Sequence, residues 1–435
     1  MSQASAYRAA IVHSLGDPTQ LGLEASYQYF PDGVLVVEDG HISDLGPAEE
    51  VLARWPANLE VVQYQHKLIT AGFIDTHIHY PQTEMIASYG EQLLDWLNNY
   101  TFPEEAKFAD PEHAQRVASF FLDELLANGT TTALVFGSVH KASIDAFFRE
   151  SERRNTRMIA GKVMMDRHAP DNLLDTAGTS YEDSKALIER WHNQGRQLYA
   201  VTPRFAPTST PEQLAMAGRL LAEYPDVYLQ THLSENRQEI EWVKSLFPQR
   251  SGYLDVYDHF GLLGKRSVFA HAIHLEQSEW QRLGSTDSVL SSCPTSNLFL
   301  GSGLFDLNEA ELQQVRVGLG TDVGAGTSFS MLKTIAEAYK VQQLQQHKLH
   351  PLKALYLATL GGAQALSLEG KIGNLAIGKE ADFVVLDLHG TPLIQKRIEN
   401  AHNLFEQLFV LMILGDDRVV AETYVYGARQ HQRSS

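Results

Sequence analysis

Cysteine is almost absent from this chain, since Cys293 is the single one among 435 residues. One thiol excludes an internal disulfide, and this composition is typical of proteins from a reducing compartment. Long apolar runs are also missing, because no stretch approaches the roughly 20 residues of a membrane span. The opening MSQASAYRAAIVHSLGD has no basic segment followed by a sustained apolar one, so we expect no secretory signal. Together these absences predict a cytoplasmic protein.

Positive charge is scarce as well. The chain has 35 Lys and Arg against 53 Asp and Glu, which gives a formal net charge of −18. Proteins bind nucleic acids and anionic membranes through phosphate contacts that need a basic surface, so the composition argues against both partners. It favours a neutral or weakly polar small molecule. The chain is long enough for one large core and a smaller accessory domain.

A regular alternation of strand-like and helical segments fills the middle of the chain. Short runs rich in Val, Ile, Ala and Thr alternate with segments whose apolar residues recur every three or four positions. The predicted strands are 73–79, 131–137, 157–166, 198–205, 227–235, 267–274, 288–297 and 315–324. Eight parallel strands with helices outside predict a (β/α)8 barrel, and an open doubly wound sheet remains possible from the pattern alone.

Two of the helices carry clear end signals. The segment PEHAQRVASFFLDELLANG has helical periodicity and Gly129 at the position of a C-terminal stop. The segment TPEQLAMAGRLLAEYP has Thr210 as the predicted N-cap, Pro211 at the first helical position and Pro225 beyond its end. Both are expected to pack outside the sheet.

The two ends of the chain have a different pattern. Residues 1–70 contain short alternating segments such as GVLVVEDGHISDLG, which are typical of β-hairpins. Residues 371–435 return to this pattern with KIGNLAIGKEADFVVLDL and VVAETYVYGARQ. We therefore expect a small β domain built from 1–70 and 371–435, and a barrel over 71–370.

A group of histidines and acids falls at the ends of the predicted strands, where barrel enzymes carry out their chemistry. The first strand ends in His77 and His79, whose side chains share a face because alternate strand residues do. Later strands contribute the rest of the group: His232, Glu235, His271 and Asp322. Three imidazoles and a carboxylate suit zinc or iron, and an open coordination position on such an ion lowers the pKa of a bound water.

Each member of this group also has an ordinary explanation. The H-x-H pair could be surface histidines, and His271 a hydrogen-bonded structural one. Asp322 before Gly324 could be a turn residue, and Glu235 a first-turn helix acid. The joint position of all of them at strand ends nevertheless favours a metal-dependent active site. There Glu235 suits a proton shuttle, and Asp322 could bind the metal and accept a proton.

The chain resembles the amidohydrolase superfamily and, within it, the guanine deaminases. The H-x-H, H-x-x-E and GTD elements are typical of the mononuclear metal-dependent deaminases of the superfamily. The segments THIHYPQ, TPRFAPT, THLSEN and CPTSNLFLGSG are more specific to guanine deaminases. The resemblance covers nearly the whole chain, to IGNLAIGKEADFVVLD. It implies a (β/α)8 barrel with a small β-sandwich domain from both termini, and a homodimer.

The resemblance also implies the residues of the site. A single zinc, with iron possible, would be bound by four ligands: His77, His79, His232 and Asp322. Glu235 would be the acid and base, and His271 would hydrogen-bond the hydroxide on the metal. The implied substrate-binding residues are Gln82, Arg204, Phe205, His232, Glu235 and Asp322. The fourth strand ends without the lysine that two-metal members modify, which favours one metal.

The activity implied is the hydrolytic deamination of guanine to xanthine and ammonia, in purine catabolism or salvage. The donors of Arg204 match the O6 acceptor of guanine and not the amino group of adenine. Arg204 could instead form a surface salt bridge, and Gln82 could be a solvated loop residue. Alternative functions are a triazine chlorohydrolase, an adenosine-type or cytosine deaminase of the same superfamily, and a non-catalytic scaffold. One cysteine cannot supply the P-C-x-x-C motif of nucleic-acid-editing deaminases.

Overall fold

The computed structural model describes residues 4–89 and 93–434, so residues 1–3 and 435 of the predicted β domain lie outside the described range. The strands are β1 (Ser5–Ser14), β2 (Tyr27–Glu38), β3 (His41–Pro47), β4 (Glu60–Ala71), β5 (Phe73–His79), β6 (Thr130–Phe136), β7 (Arg157–Gly161), β8 (Val163–Met164), β9 (Leu198–Pro203), β10 (Tyr228–Leu233), β11 (Ser267–His271), β12 (Val289–Ser292), β13 (Arg316–Leu319), β14 (Phe383–Asp387), β15 (Val420–Val425) and β16 (Ala428–Gln432).

The α-helices are α1 (Pro18–Leu21), α2 (Ala48–Arg54), α3 (Leu93–Trp96), α4 (Phe102–Glu105), α5 (Pro111–Ala127), α6 (Lys141–Arg154), α7 (Ala177–Trp191), α8 (Pro211–Glu223), α9 (Arg237–Leu246), α10 (Tyr253–His259), α11 (Gln277–Ser285), α12 (Pro294–Phe299), α13 (Leu307–Leu312), α14 (Met331–Leu344), α15 (Pro351–Ala358), α16 (Leu360–Ala365), α17 (Pro392–Ile398) and α18 (Leu404–Leu414). A π-helix spans Leu97–Thr101, and short 3₁₀ helices include Tyr80–Met85. Among the described helices, none is long and apolar enough to cross a lipid bilayer.

A parallel barrel occupies the middle of the chain. Its strands follow the order β13-β12-β11-β10-β9-β7-β6-β5, with β8 paired to β9. Backbone hydrogen bonds beyond the end of β13 close it against β5: Asp322 N–H donates to the His77 carbonyl at 2.9 Å, and His79 N–H to the Val323 carbonyl at 2.9 Å. The predicted (β/α)8 fold is confirmed, and the alternative of an open doubly wound sheet is wrong.

The barrel strands coincide with the predicted segments, but several end earlier than expected. The segment predicted as a strand over 288–297 forms β12 only as far as Ser292. Pro294 then begins α12, where its missing N–H and fixed φ suit the first turn of a helix. Residues that the sequence predicts as the ends of strands therefore lie in the segments that follow the strands, at one end of the barrel.

Two predicted helices illustrate why helices pack outside this sheet. Helix α5 begins after Asp110, whose carboxylate accepts the Glu112 N–H, and ends before Gly129, which has a φ of 80°. The hydroxyl of Thr210 caps α8 by accepting the Gln213 N–H, as predicted. Buried apolar residues along one side of each helix join the core cluster between helices and strands.

The two termini together form a second, mixed sheet. Its seven strands follow the order β16-β15-β14-β4-β1-β2-β3, so strands from the C-terminal part pair directly with β4. The expectation of a β structure built from both ends of the chain is confirmed.

A buried group of charged residues connects this sheet to the barrel. The Glu380 carboxylate, just before β14, accepts hydrogen bonds from Arg157 Nε at 2.8 Å and from Arg196 Nη2 at 2.6 Å. Arg196 also donates to Asp382. Burial opposes the ionisation of Glu380, but the two arginines outweigh it and lower the pKa of the carboxyl.

Candidate active site

Three histidines and one aspartate converge at the end of the barrel strands. His77 Nε2 lies 3.2 Å from His79 Nε2, which lies 3.3 Å from His232 Nε2. Asp322 Oδ1 lies 3.2 Å from His77 Nε2 and 3.3 Å from His79 Nε2. These four predicted residues therefore lie together, although they come from three different strands.

This cluster fits a divalent metal ion. Two ligands at the roughly 2.0–2.1 Å typical of zinc–nitrogen bonds, arranged tetrahedrally, stand about 3.3 Å apart. The measured separations of 3.2 and 3.3 Å between imidazole nitrogens match that value. The ligand nitrogens of His77, His79 and His232 form one of the groups in the structure that could hold a metal.

Burial and hydrogen bonding give the cluster the protonation states that metal binding requires. Burial is the main cause that lowers the pKa of His232 well below its ordinary value, and the nearby His77 and His79 lower it further. Burial lowers the pKa of His79 to about 3. The His232 Nδ1 lies 2.7 Å from the Arg204 carbonyl and donates its hydrogen there, which leaves the Nε2 lone pair for a metal. Burial alone would raise the pKa of Asp322, but His77 and His79 hold it well below its ordinary value.

Buried contacts between the first and last barrel strands hold these ligands in place. The Asp75 carboxylate accepts the His77 N–H and the Thr321 N–H, each at 3.1 Å, and its burial raises its pKa to about 7. A Cβ on Gly320 would lie 2.8 Å from the Cβ of His77. Glycine in the GTD segment therefore allows the two strand ends to approach closely.

Glu235 and His271 lie beside the cluster. Glu235 Oε2 is 3.5 Å from His271 Nε2, which is 3.8 Å from Asp322 Oδ2. Burial, with a smaller effect from the charge of Asp322, raises the pKa of Glu235 to about 8. A carboxyl with this pKa can gain and lose a proton near neutral pH, which suits general acid–base chemistry.

Further residues orient this pair, and sequence reasoning missed them. Asn297 Oδ1 lies 2.8 Å from His271 Nδ1 and accepts its hydrogen, while Nε2 lies near the carboxylates of Glu235 and Asp322. The Ser302 hydroxyl donates to Glu235 Oε1 at 3.2 Å. The only signal for both was their position in the segment CPTSNLFLGSG, because neither adjoins its partner in the sequence.

A cavity with an empty volume of about 400 Å³ opens beside the metal-binding cluster. Its residues are His79, Gln82, Leu93, Trp96, Leu97, Arg204, Phe205, His232, Glu235, His271, Leu300, Asp322 and Ala325. The structure thus brings every predicted site residue except His77 to the wall of one cavity, and His77 Nε2 lies 3.2 Å from Nε2 of the wall residue His79. Six of these thirteen residues are apolar and seven are polar or titratable, and apolar surface combined with convergent polar groups is typical of small-molecule sites.

Gln82 and Arg204 are polar residues of the cavity wall, and both contact Glu105, a residue outside the wall that the sequence did not indicate. Arg204 Nη1 donates to both carboxylate oxygens of Glu105, at 2.9 and 2.8 Å. Gln82 Nε2 donates to Glu105 Oε1 at 3.0 Å. Arg204 is therefore not a surface salt-bridge residue and Gln82 is not a solvated loop residue, since both are buried.

Cys293 is fully buried and does not line the cavity. Burial, reinforced by the charges of Asp322 and Asp75, raises the pKa of its thiol well above the ordinary value. Its sulfur belongs to a second group of possible ligand atoms with His77, His271 and Asp322. The nitrogens of His77, His79 and His232 are nevertheless the favoured ligands with Asp322, because they stand 3.2 and 3.3 Å apart, as ligands of one tetrahedral ion do.

Comparisons with known proteins agree with this geometry. The model of the amidohydrolase family matches residues 68–429. A guanine deaminase of Escherichia coli (strain K12) is 55% identical over 424 residues, covering 98% of this chain and 96% of that protein. A solved E. coli guanine deaminase superposes with a TM-score of 0.97 at 54% identity, over 99% of this chain and 100% of that one. A guanine deaminase from C. acetobutylicum, solved with guanine in its active site, gives a TM-score of 0.87 at 30% identity, over 98% and 99%.

Proposed function

The chain belongs to the amidohydrolase family, and we propose that it catalyses the hydrolytic deamination of guanine to xanthine and ammonia. One observation carries the proposal. A single cavity is lined by His79, His232 and Asp322 of the metal-binding cluster, by an acid of raised pKa, and by the hydrogen-bond donors of Arg204 and Gln82. The similarity to E. coli guanine deaminase over nearly its full length supports the same substrate.

We propose one zinc ion, with iron as the alternative, bound by His77, His79, His232 and Asp322. Imidazole and carboxylate ligands accept either metal. A divalent ion in such a site supplies a water that ionises near neutral pH. His271, whose Nε2 is not engaged by Asn297, would form a hydrogen bond with that water and orient it.

Glu235 would move the protons of the reaction. A bond forms between the water oxygen and C2 of guanine, and the bond between C2 and its amino nitrogen breaks. Glu235 would take one proton from the water and give it to ring N3 as C2 becomes tetrahedral. It would then take the remaining proton from the new C2 hydroxyl and give it to the departing amine, so that ammonia leaves and C2 becomes a carbonyl carbon. Its pKa of about 8 is suited to both giving and taking a proton near neutrality.

Arg204 and Gln82 would bind the opposite edge of the purine. Both can donate hydrogen bonds to O6 of guanine, whereas the 6-amino group of adenine would place donor against donor. The apolar wall, which includes Phe205 and Trp96, would pack on the faces of the ring. This arrangement would place C2 next to the metal-binding cluster.

The assay that tests the proposal is ammonia release by the zinc-loaded protein from guanine, adenine, cytosine and a triazine. We expect turnover of guanine alone, with xanthine as the second product. Absence of guanine turnover together with activity on another ring would refute the substrate assignment and leave the metal site intact. A protein that binds no stoichiometric metal under any supplementation would instead support the non-catalytic scaffold.

Three further expectations form part of the proposal. We propose that the protein acts in the cytoplasm, that it is a homodimer, and that residues 1–70 and 371–435 form one β domain beside a barrel over 71–370. The division into domains is supported by the two separate sheets, since strand pairing joins β4 to β14. Size-exclusion chromatography with light scattering would test the dimer.

A further inference from the structure

Glu105 is a fully buried carboxylate that contacts Gln82 and Arg204, two polar residues of the cavity wall. It ends α4, and its side chain has no exposed area. Its oxygens accept two hydrogen bonds from Arg204 Nη1, at 2.9 and 2.8 Å, and one from Gln82 Nε2, at 3.0 Å. It does not line the cavity itself.

These contacts fix the orientation of the Gln82 amide. Gly324 N–H donates to Gln82 Oε1 at 3.2 Å, while Nε2 donates to Glu105. A flipped amide would place its oxygen against the carboxylate and its NH₂ group against the Gly324 N–H, and both contacts would be repulsive. The Glu105 carboxylate thus keeps the Gln82 NH₂ group turned toward Glu105. One of the two Nε2 hydrogens is donated to Glu105, and the other is available for a ligand.

The same carboxylate holds the guanidinium of Arg204. Arg204 is buried, and a buried cation is stable only with a counter-charge and hydrogen-bond partners. Glu105 engages Nη1, and the Phe102 ring lies 5.7 Å from the guanidinium carbon. Because both Gln82 and Arg204 line the cavity while Glu105 holds their nitrogens, they present donors there in fixed positions.

We infer that Glu105 is a positioning residue that determines specificity for purines carrying a hydrogen-bond acceptor at C6. It acts through Arg204 and Gln82, and the inference rests on the proposed function. A site built to bind a substrate oxygen rejects an analogue without that oxygen, because its buried donors are then left unpaired. Loss of Glu105 would free both donors to move and would remove this discrimination.

The test compares guanine with 2-aminopurine, which has the same 2-amino group and N3 but only hydrogen at C6. The variant is Glu105→Gln, and the matched control is Glu104→Gln, whose carboxylate pairs with exposed Lys107 at 2.6 Å. We expect Glu105→Gln to lower kcat/KM for guanine by roughly 10- to 100-fold more than for 2-aminopurine, as expected for a lost charge-assisted hydrogen bond. Zinc content should equal that of the wild type, and Glu104→Gln should leave the ratio unchanged.

An equal loss on both substrates would overturn the inference, because a merely structural role lowers all activity alike. That result would leave the proposed function standing, provided that the wild type converts guanine. A wild type inactive on guanine would overturn both. If Glu105→Gln does not fold, Glu105→Asp keeps the charge and shortens the side chain by one methylene. It should show the same selective loss on guanine, and an equal loss on both substrates would again overturn the inference.

Discussion

Replacing Glu235 by glutamine is the perturbation that isolates proton transfer from every other part of the site. The amide has nearly the shape of the carboxylate, so its oxygen can still accept the Ser302 hydroxyl, now 3.2 Å from Glu235 Oε1. The amide nitrogen would replace Oε2, 3.5 Å from His271 Nε2, and could donate to that ring. The packing around residue 235 and the metal-binding cluster should therefore be preserved.

The expected magnitude follows from the loss of a single function. An amide cannot exchange protons with the substrate, and positioned general acid–base catalysis contributes roughly 10²- to 10⁴-fold. At about 1.4 kcal/mol for each factor of ten, the barrier should rise by about 3–5 kcal/mol. The KM for guanine should change little, because the substitution leaves the proposed O6 donors, Arg204 and Gln82, unchanged.

The assay is steady-state xanthine formation by Glu235→Gln and wild type at equal metal content. The control is Glu241→Gln, on the exposed face of α9, where the carboxylate pairs with Lys244. The control should keep full activity. A Glu235→Gln variant that keeps its metal and retains kcat within tenfold of the wild type would refute the proton-transfer role.

Three other changes test separate parts of the molecule. His79→Ala should abolish stoichiometric metal binding and turnover together, as measured by elemental analysis and xanthine formation, and a full metal complement in this variant would contradict the ligand assignment. Arg204→Ala should lower kcat/KM for guanine by roughly 10²-fold, through loss of charged hydrogen bonds, while metal content stays unchanged; loss of zinc would show that Arg204 has a structural role instead. Glu380→Gln should lower the free energy of unfolding by about 3–5 kcal/mol at pH 7, because Arg157 and Arg196 lose a buried partner. The folded-state pKa of Glu380 is lowered, so its contribution to stability is present above the unfolded value of 4.5 and is lost as pH falls through the folded pKa. Denaturant melts of the variant and the wild type should therefore converge at low pH. A stability difference that does not depend on pH would contradict this account.

The barrel was predictable because its signals are local and periodic. Apolar strand segments, helix caps such as Thr210 and the stop at Gly129 each depend on neighbouring residues, and the structure contains all of them. Because the active-site residues of barrel enzymes lie at strand ends, the histidines and Asp322 could be assigned to one site from the sequence alone. The lengths of the strands were less predictable, since a proline such as Pro294 can start a helix inside an apolar segment.

The residues that support the site were not predictable in the same way, because their roles depend on contacts between distant parts of the chain. Glu104 and Glu105 are identical neighbours in the sequence. One pairs with exposed Lys107, and the other lies fully buried against Arg204, 99 positions away. The packing of α4 against Gln82 and Arg204 decides between these environments, and no local pattern encodes it. Asn297, whose partner is 26 positions away, was missed for the same reason.

A crystal structure of the Glu235→Gln variant, loaded with zinc and guanine, tests the central claim most directly. The account predicts one metal ion between His77, His79, His232 and Asp322, with guanine C2 facing that ion and O6 within hydrogen-bond distance of Arg204 and Gln82. Guanine bound with its C2 amino group turned away from residue 235, or a metal ion held by other residues, would contradict it.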